Sequence, residues 1–276
     1  MEDFPKNQCT ARYPLNDGTL VSVVMPAYNA QETIGEAITS VLTQTMDSLE
    51  LIVVDDASTD ATNEIVTAMM EADPRLSIYR NEKNSRQGPI EWEPRNDGLK
   101  YATGQFIAYL DADNAWKTNF LAEMTGIIQS DASCMLAYCR TKNYYDPVEK
   151  ATAVRNDRRP LLAEGECWTI FDSPAIGAVR WGIDGYVDTN EIVHRASIFE
   201  KLGYLWRTIH PDRETISRAQ SFIRRGRRHN DLDLFERVLA AFGAGAIKRH
   251  PGVLVNFYYP SYRAYSRRII GHECGR

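Results

Sequence analysis

The chain has 276 residues, 43% hydrophobic and 25% charged, which is enough to bury a sizeable core without disulfide or metal staples. A net charge of -5 excludes a general nucleic-acid binder, which would carry a basic excess. Cys9, Cys134, Cys139, Cys167 and Cys274 form no CxxC pair, and no apolar run approaches transmembrane length, so the expectation is a cytoplasmic protein with reduced thiols.

Residues 1–19 are polar, contain two prolines and read as an irregular lead-in. Residues 20–25 (LVSVVM) are a β-branched run suited to a strand buried on both faces, stopping at Pro26. Asn29 with Glu32 three residues later has the spacing of a helix-capping pair. Ile34, Ala37, Ile38, Val41 and Leu42 then fall on one helical face. The unit repeats: a strand over 49–54 ends at Asp55-Asp56, and Ser58, Thr59 or Asp60 caps a helix through Ile65, Val66 and Met69. Residues 76–79 make a third strand. A helix reaches about Ala102 with Gly104 as its C-cap, and 106–110 is a fourth strand that delivers Asp111.

Beyond it, a helix begins near Lys117 and residues 135–138 form a strand. Residues 141–190, rich in Pro, Gly, Asp and Arg, read as loops. Residues 192–193 enter a short helix over 197–202, helical spacing recurs over 212–225 and 232–242, and 253–259 is a late strand. Strand alternating with helix predicts an α/β fold with a mostly parallel sheet, whose ligands bind beyond the carboxyl ends of the strands. Pro26-Ala-Tyr-Asn29, Asp55-Asp56 and Asp111-x-Asp113 each follow a different strand and should converge on one edge.

Carboxylates in that position suit a hard divalent cation joined to substrate phosphates. On an extended chain Asp111 and Asp113 would share a side. Taken alone, the same pair is more often a solvated turn. Asp56 is equally suited to accept a hydrogen bond from a base or ribose and to sit at a helix N-terminus. Tyr28 can stack on a nucleobase or simply pack. The basic run over 224–228 is solvated surface or a contact for diphosphate or lipid headgroups. His194, His210, His229, His250 and His272 lack metal-ligand or triad spacing.

Three blocks together, VSVVMPAYNAQETIGEAITSVLTQT, LELIVVDDASTDAT and GQFIAYLDADNAW, resemble in order and spacing the inverting family 2 glycosyltransferases of GT-A fold. The resemblance is strong over about 20–120 and traceable to about 260, through NEIVHRASIFEKLG on the acceptor side and NDLDLFERVL. It implies a Rossmann-like central sheet flanked by helices with a smaller acceptor-side subdomain. One continuous domain would comprise the lead-in (1–19), a nucleotide-sugar half (20–116) and an acceptor half (117–276). It further implies that Pro26, Ala27 and Tyr28 line the nucleoside pocket and that Asp56 reads the base, usually uracil. Arg95 belongs to the family's Ala-Arg-Asn motif, here Pro94-Arg95-Asn96. Asp111 would face the ribose or the metal's water, Asp113 would be the main ligand of Mn2+ or Mg2+, and Asp231 would be the catalytic base, with Asp233 as the near alternative.

The family's glutamate before the base is Asn230 here, and the late strand lacks the histidine that many members carry. The expected function is metal-dependent, inverting transfer from a nucleotide-diphosphate sugar, a UDP-sugar by preference, to a hydroxyl of a carbohydrate or glycoconjugate. Peripheral membrane contact is compatible with the arginine run. The alternative is a non-catalytic relative that binds nucleotide sugar as a sensor or scaffold.

Overall fold

The computed structural model describes residues 21–85, 94–144, 189–202 and 230–258. The lead-in, the helix expected over 212–225 and the arginine run lie outside the described residues, as does most of the 141–190 segment. In chain order the elements are β1 (Val21–Ala27), α1 (Ile34–Leu42), β2 (Leu49–Asp55), α2 (Thr62–Ala72), β3 (Leu76–Arg80), α3 (Pro94–Leu99) and β4 (Phe106–Tyr109). Then follow β5 (Ala115–Trp116), α4 (Phe120–Gln129), β6 (Leu136–Tyr144), β7 (Ile192–Arg195), α5 (Ile198–Leu202), α6 (Asn230–Phe242) and β8 (Ile247–Tyr258).

The strands join into one eight-stranded sheet of order β3-β2-β1-β4-β7-β6-β8-β5. The first four are mutually parallel, and β7 runs antiparallel to both β4 and β6. Successive residues of the central strands supply opposite faces. Val23, Met25, Leu51, Val53 and Ala108 are buried in one core with Ile34, Ile38, Val66 and Phe120 of α1, α2 and α4. Val24, Ile52, Val54, Ile107 and Tyr109 enter the other with Ile198, Leu234 and Val238 of α5 and α6. Two covered faces account for strands that are apolar runs rather than alternating patterns.

Where α3 crosses the sheet, a Cβ on Gly98 would overlap Val24 and lie 3.0 Å from Val54, so only glycine lets the helix approach this closely. Gln44 ties α1 to α4: its Nε2 donates to the Ser40 and Lys117 carbonyls, and its Oε1 accepts from the Leu121 N–H at 2.9 Å. It thereby satisfies a helix-start donor that Asn119 does not.

Four local expectations are corrected. Strand β1 runs through Pro26 to Ala27. Pairing with β4 ends at Val24↔Tyr109, so at Pro26 β1 is paired with β2 alone. The Val24 carbonyl faces the β4 side, where it accepts from Leu110, and Pro26, two residues on, faces that side too, where its missing N–H breaks no ladder bond. Asn29 does not cap α1; it adopts a left-handed backbone (φ 49°) and its Oδ1 accepts from the Thr59 N–H at 2.8 Å. Helix α3 ends at Leu99, and Gly104, rather than capping it, donates its N–H to Ser22 Oγ. The late strand is longer than expected, starting at Ile247.

His194, on β7, is a fully buried core histidine. Its Nδ1 faces the Arg195 carbonyl at 2.9 Å and so carries the proton, leaving Nε2 to accept from the Tyr109 hydroxyl at 3.0 Å. Burial pulls its pKa from 6.5 down to about 4, against a smaller opposing effect of the Arg195 carbonyl. Below pH 6.5 the unfolded chain therefore takes up a proton that the folded chain refuses. Stability attributable to this group is level above pH 6.5 and falls as the pH drops toward 4, by about 3 kcal/mol in all. Urea titrations at several pH values in that window check this. His194→Gln, less stable at neutral pH, should lose less on acidification than the parent; parallel acid losses would refute the assignment.

Candidate active site

The order β2-β1-β4 sets the carboxyl ends of three adjacent parallel strands side by side, so the three polar clusters share one edge. The loops after β1 and β2 are stitched together. The Asp56 N–H donates to the Ala27 carbonyl, the Asn29 N–H to Ser58 Oγ, the Ala30 N–H to Thr62 Oγ1 and the Gln31 N–H to Asp60 Oδ2. Gln31 Oε1 accepts in return from the Ala61 N–H. Asp60 also accepts from the Thr62 N–H at the start of α2, but from one residue before the N-cap position, which is Ala61 and not one of the expected capping residues.

Between the stitches stands Tyr28, the large apolar side chain most open to solvent among the described residues (44% exposed). Ala57 is held at φ 61°, a conformation costing an alanine about 1–2 kcal/mol. Its neighbours fix it there: the Ser58 N–H donates to Asp55 Oδ1 at 2.8 Å, and Asp56 is bound from both sides. The Asp56 carboxylate, nearly buried, accepts from Asn81 Nδ2 at 3.1 Å and from the N–H and Oγ of Ser85, the latter at 2.7 Å. Asp55 is fully buried, with Oδ2 lacking a hydrogen-bond donor among the described residues and Arg80 Nε 3.7 Å away.

Asp111 and Asp113 do not lie on an extended chain. The Asn114 N–H donates to the Asp111 carbonyl at 3.1 Å, closing a turn whose buried Ala112 is fastened by Thr33 Oγ1 to its carbonyl at 2.7 Å. The pair is therefore presented by a turn, and the alternation of side chains along a strand does not govern it. Asp111 Oδ1 pairs with Arg95 Nη2 at 2.5 Å, and its Oδ2 accepts from Asn190 Nδ2 at 3.1 Å. Asp113, half-buried, stands two residues along the same turn.

Arg95 comes from α3, which begins with Pro94 at a helix-start position that tolerates proline. Its Nη2 also donates to Thr189 Oγ1 at 3.2 Å. Asn190 is fully buried. Its Oδ1 accepts from the Asp111 N–H at 2.6 Å, and its carbonyl accepts from Trp116 Nε1 at 2.8 Å. Asp231 lies at the start of α6, whose Leu234, Phe235 and Val238 are buried on the sheet face that holds Tyr109; the Asp231 and Asp233 side chains lie outside the described residues.

Asn81, Ser85, Thr189 and Asn190 were missed by sequence reasoning. Asn190 opens the segment read as acceptor-side, yet it touches Asp111, 79 residues away. No local pattern signals such a bond.

The family model described as "Glycosyl transferase family 2" matches residues 22–203. Among curated proteins, the Escherichia coli UDP-Glc:alpha-D-GlcNAc-diphosphoundecaprenol beta-1,3-glucosyltransferase WfgD is 44% identical over 105 residues, 38% of this chain and 39% of its own length. An uncharacterized glycosyltransferase of Nostoc sp. is 34% identical over 182 residues, 66% of this chain and 52% of its own. The matched segments thus span about half or less of these relatives.

Among solved structures, S. aureus TarS 1-349 in complex with UDP-GlcNAc superposes with a TM-score of 0.56 at 20% identity, covering 87% of this chain and 59% of that one. The mannosyltransferase PcManGT from Pyrobaculum calidifontis, solved with GDP-Man and Mn2+, gives 0.54 at 18% identity, covering 91% of this chain and 61% of that one. At this identity the likeness is one of fold: a mixed α/β sheet flanked by helices, as in GT-A glycosyltransferases.

Proposed function

Since the chain belongs to glycosyl transferase family 2, we propose that it transfers a sugar, with inversion, from a nucleotide-diphosphate donor to a hydroxyl of a carbohydrate or glycoconjugate. The observation that carries this reading is a pair of carboxylates presented by one turn at the shared strand-end edge. Asp111 is held by Arg95 and Asn190, and Asp113, two residues along, is half-buried at the same strand-end edge as Tyr28 and Asp56. In this reading residues 20–116 form the donor half and 117–276 the acceptor half.

A divalent cation fits this donor set in one way. Among the described residues no three His, Cys, Asp or Glu side chains form a closed cage. One or two carboxylates completed by substrate phosphates and water are the ordinary setting of Mg2+ or Mn2+. Asp113 would hold the ion, with Asp111 facing its water or the ribose. When bound, the ion supplies Lewis-acid stabilisation to the departing diphosphate oxygen.

The remaining work belongs to the chain. Tyr28 offers a ring face to the base beside Pro26 and Ala27. Asp56 reads the base with a carboxylate that Asn81 and Ser85 hold in one orientation. Asp231 takes the proton of the acceptor hydroxyl as that oxygen attacks the anomeric carbon from the side opposite the diphosphate, which inverts the centre.

The donor is a UDP-sugar in this proposal, supported by WfgD and WfaP, both named for UDP-Glc and a diphosphoundecaprenol-linked GlcNAc. A lipid-linked acceptor of that kind would bring the protein to a membrane surface; no described helix is long and apolar enough to cross one. Asn230, standing where the family has glutamate, favours the second reading, a non-catalytic nucleotide-sugar binder. Incubating the protein with a panel of UDP-, GDP- and dTDP-sugars, Mn2+ and a lipid-linked or soluble saccharide extract separates the two. Release of one nucleotide with an inverted product is expected. Nucleotide binding without release from any donor would overturn catalysis in favour of the sensor.

A further inference from the structure

The DxD turn is held from a distance. The short helical turn Thr189–Glu191 is wholly buried and precedes β7, which pairs with β4. From it Asn190 closes a two-point clamp on Asp111, accepting from its N–H and donating to its Oδ2. Thr189 Oγ1 meanwhile shares Arg95 Nη2 with Asp111 Oδ1. The Asn190 carbonyl holds the indole N–H of Trp116, in β5 just beyond the turn. Both ends of the segment bearing Asp113 are thus anchored to one buried residue.

Resting on the cation-diphosphate reading above, we propose that Asn190, assisted by Thr189, is a positioning residue: it orients the Asp111 turn so that Asp113 meets a cation on the donor diphosphate. Asn190 itself contacts neither cation nor sugar. Outer partners of metal-ligating groups commonly govern affinity by about 10–100-fold, because they set the ligand's orientation. The side-chain amide suits the task, since one end accepts from a backbone N–H while the other donates to a carboxylate.

The test is titration of UDP, with and without Mn2+, into the parent and Asn190→Ala. The parent should bind UDP more tightly with Mn2+. Asn190→Ala should lose about 10–100-fold of that metal-dependent gain, with metal-free UDP affinity close to the parent's and a lowered thermal midpoint, since a fully buried, hydrogen-bonded side chain is removed. An undiminished Mn2+ gain overturns the proposal, and so does equal weakening with and without metal, which marks a merely structural role. Should Asn190→Ala fail to fold, the near-isosteric Thr189→Val decides: a reduced Mn2+ gain supports the clamp and an intact one overturns it. A parent without any Mn2+ gain would overturn the functional reading beneath, an outcome distinct from failure of the clamp alone.

Discussion

Asp113→Ala removes the Mn2+-dependent part of UDP binding, leaving only the affinity measured without metal. The loss should be about 100-fold or more, since even outer partners of a metal ligand cost about 10–100-fold. The fold should survive. Asp113 is half-buried on a turn, outside both apolar cores, so the hydrophobic packing is untouched. Asp111→Asn is the companion variant: that carboxylate bonds Arg95 and Asn190, so its change disturbs the turn itself. Parallel titrations with and without Mn2+, beside urea denaturation, check the prediction. Unchanged Mn2+-dependent binding in Asp113→Ala would remove that residue from the site.

Asp231→Asn is the second large effect, and it separates binding from chemistry. Replacing the carboxylate with a near-isosteric amide removes the group proposed to accept the acceptor's proton. Transfer should fall by about 10²–10⁴-fold, the usual contribution of a positioned base. Donor affinity should hold, because the proposed donor site lies at the strand ends of β1, β2 and β4. Measured as product formation at saturating donor, full activity in Asp231→Asn would move the base to Asp233 or elsewhere.

Much of the fold was legible because it is written in local apolar periodicity. The runs of β1, β2 and β4 are buried on both faces, and Ile34, Ala37, Ile38 and Val41 of α1 all reach the core. Strand ends were misjudged where backbone pairing, which a sequence does not display, sets the boundary. Pro26 belongs to β1 because β4 has already ceased to pair there. Asn29 looked like a helix cap because its spacing to Glu32 fits one, but the loop after β2 offered the Thr59 N–H instead.

The edge that gathers the polar clusters followed from strand order and direction. What secures it did not. Asn81 and Ser85 reach Asp56 across about 25–30 residues, and Asn190 reaches Asp111 across 79. Such bonds depend on the assembled sheet, and an asparagine before an apolar strand has no distinguishing pattern. The Asp111-x-Asp113 spacing was informative even though the geometry assumed for it was wrong, since a turn serves as well as a strand to present two carboxylates.

The most direct measurement is calorimetric titration of the purified protein with UDP, GDP and dTDP, each with and without Mn2+. Tight binding of UDP that requires the metal is the predicted result, and it would identify the strand-end edge as a cation-diphosphate site. Metal-independent binding, or none to any of the three nucleotides, would contradict the proposal that the Asp111 turn holds a cation against a donor diphosphate.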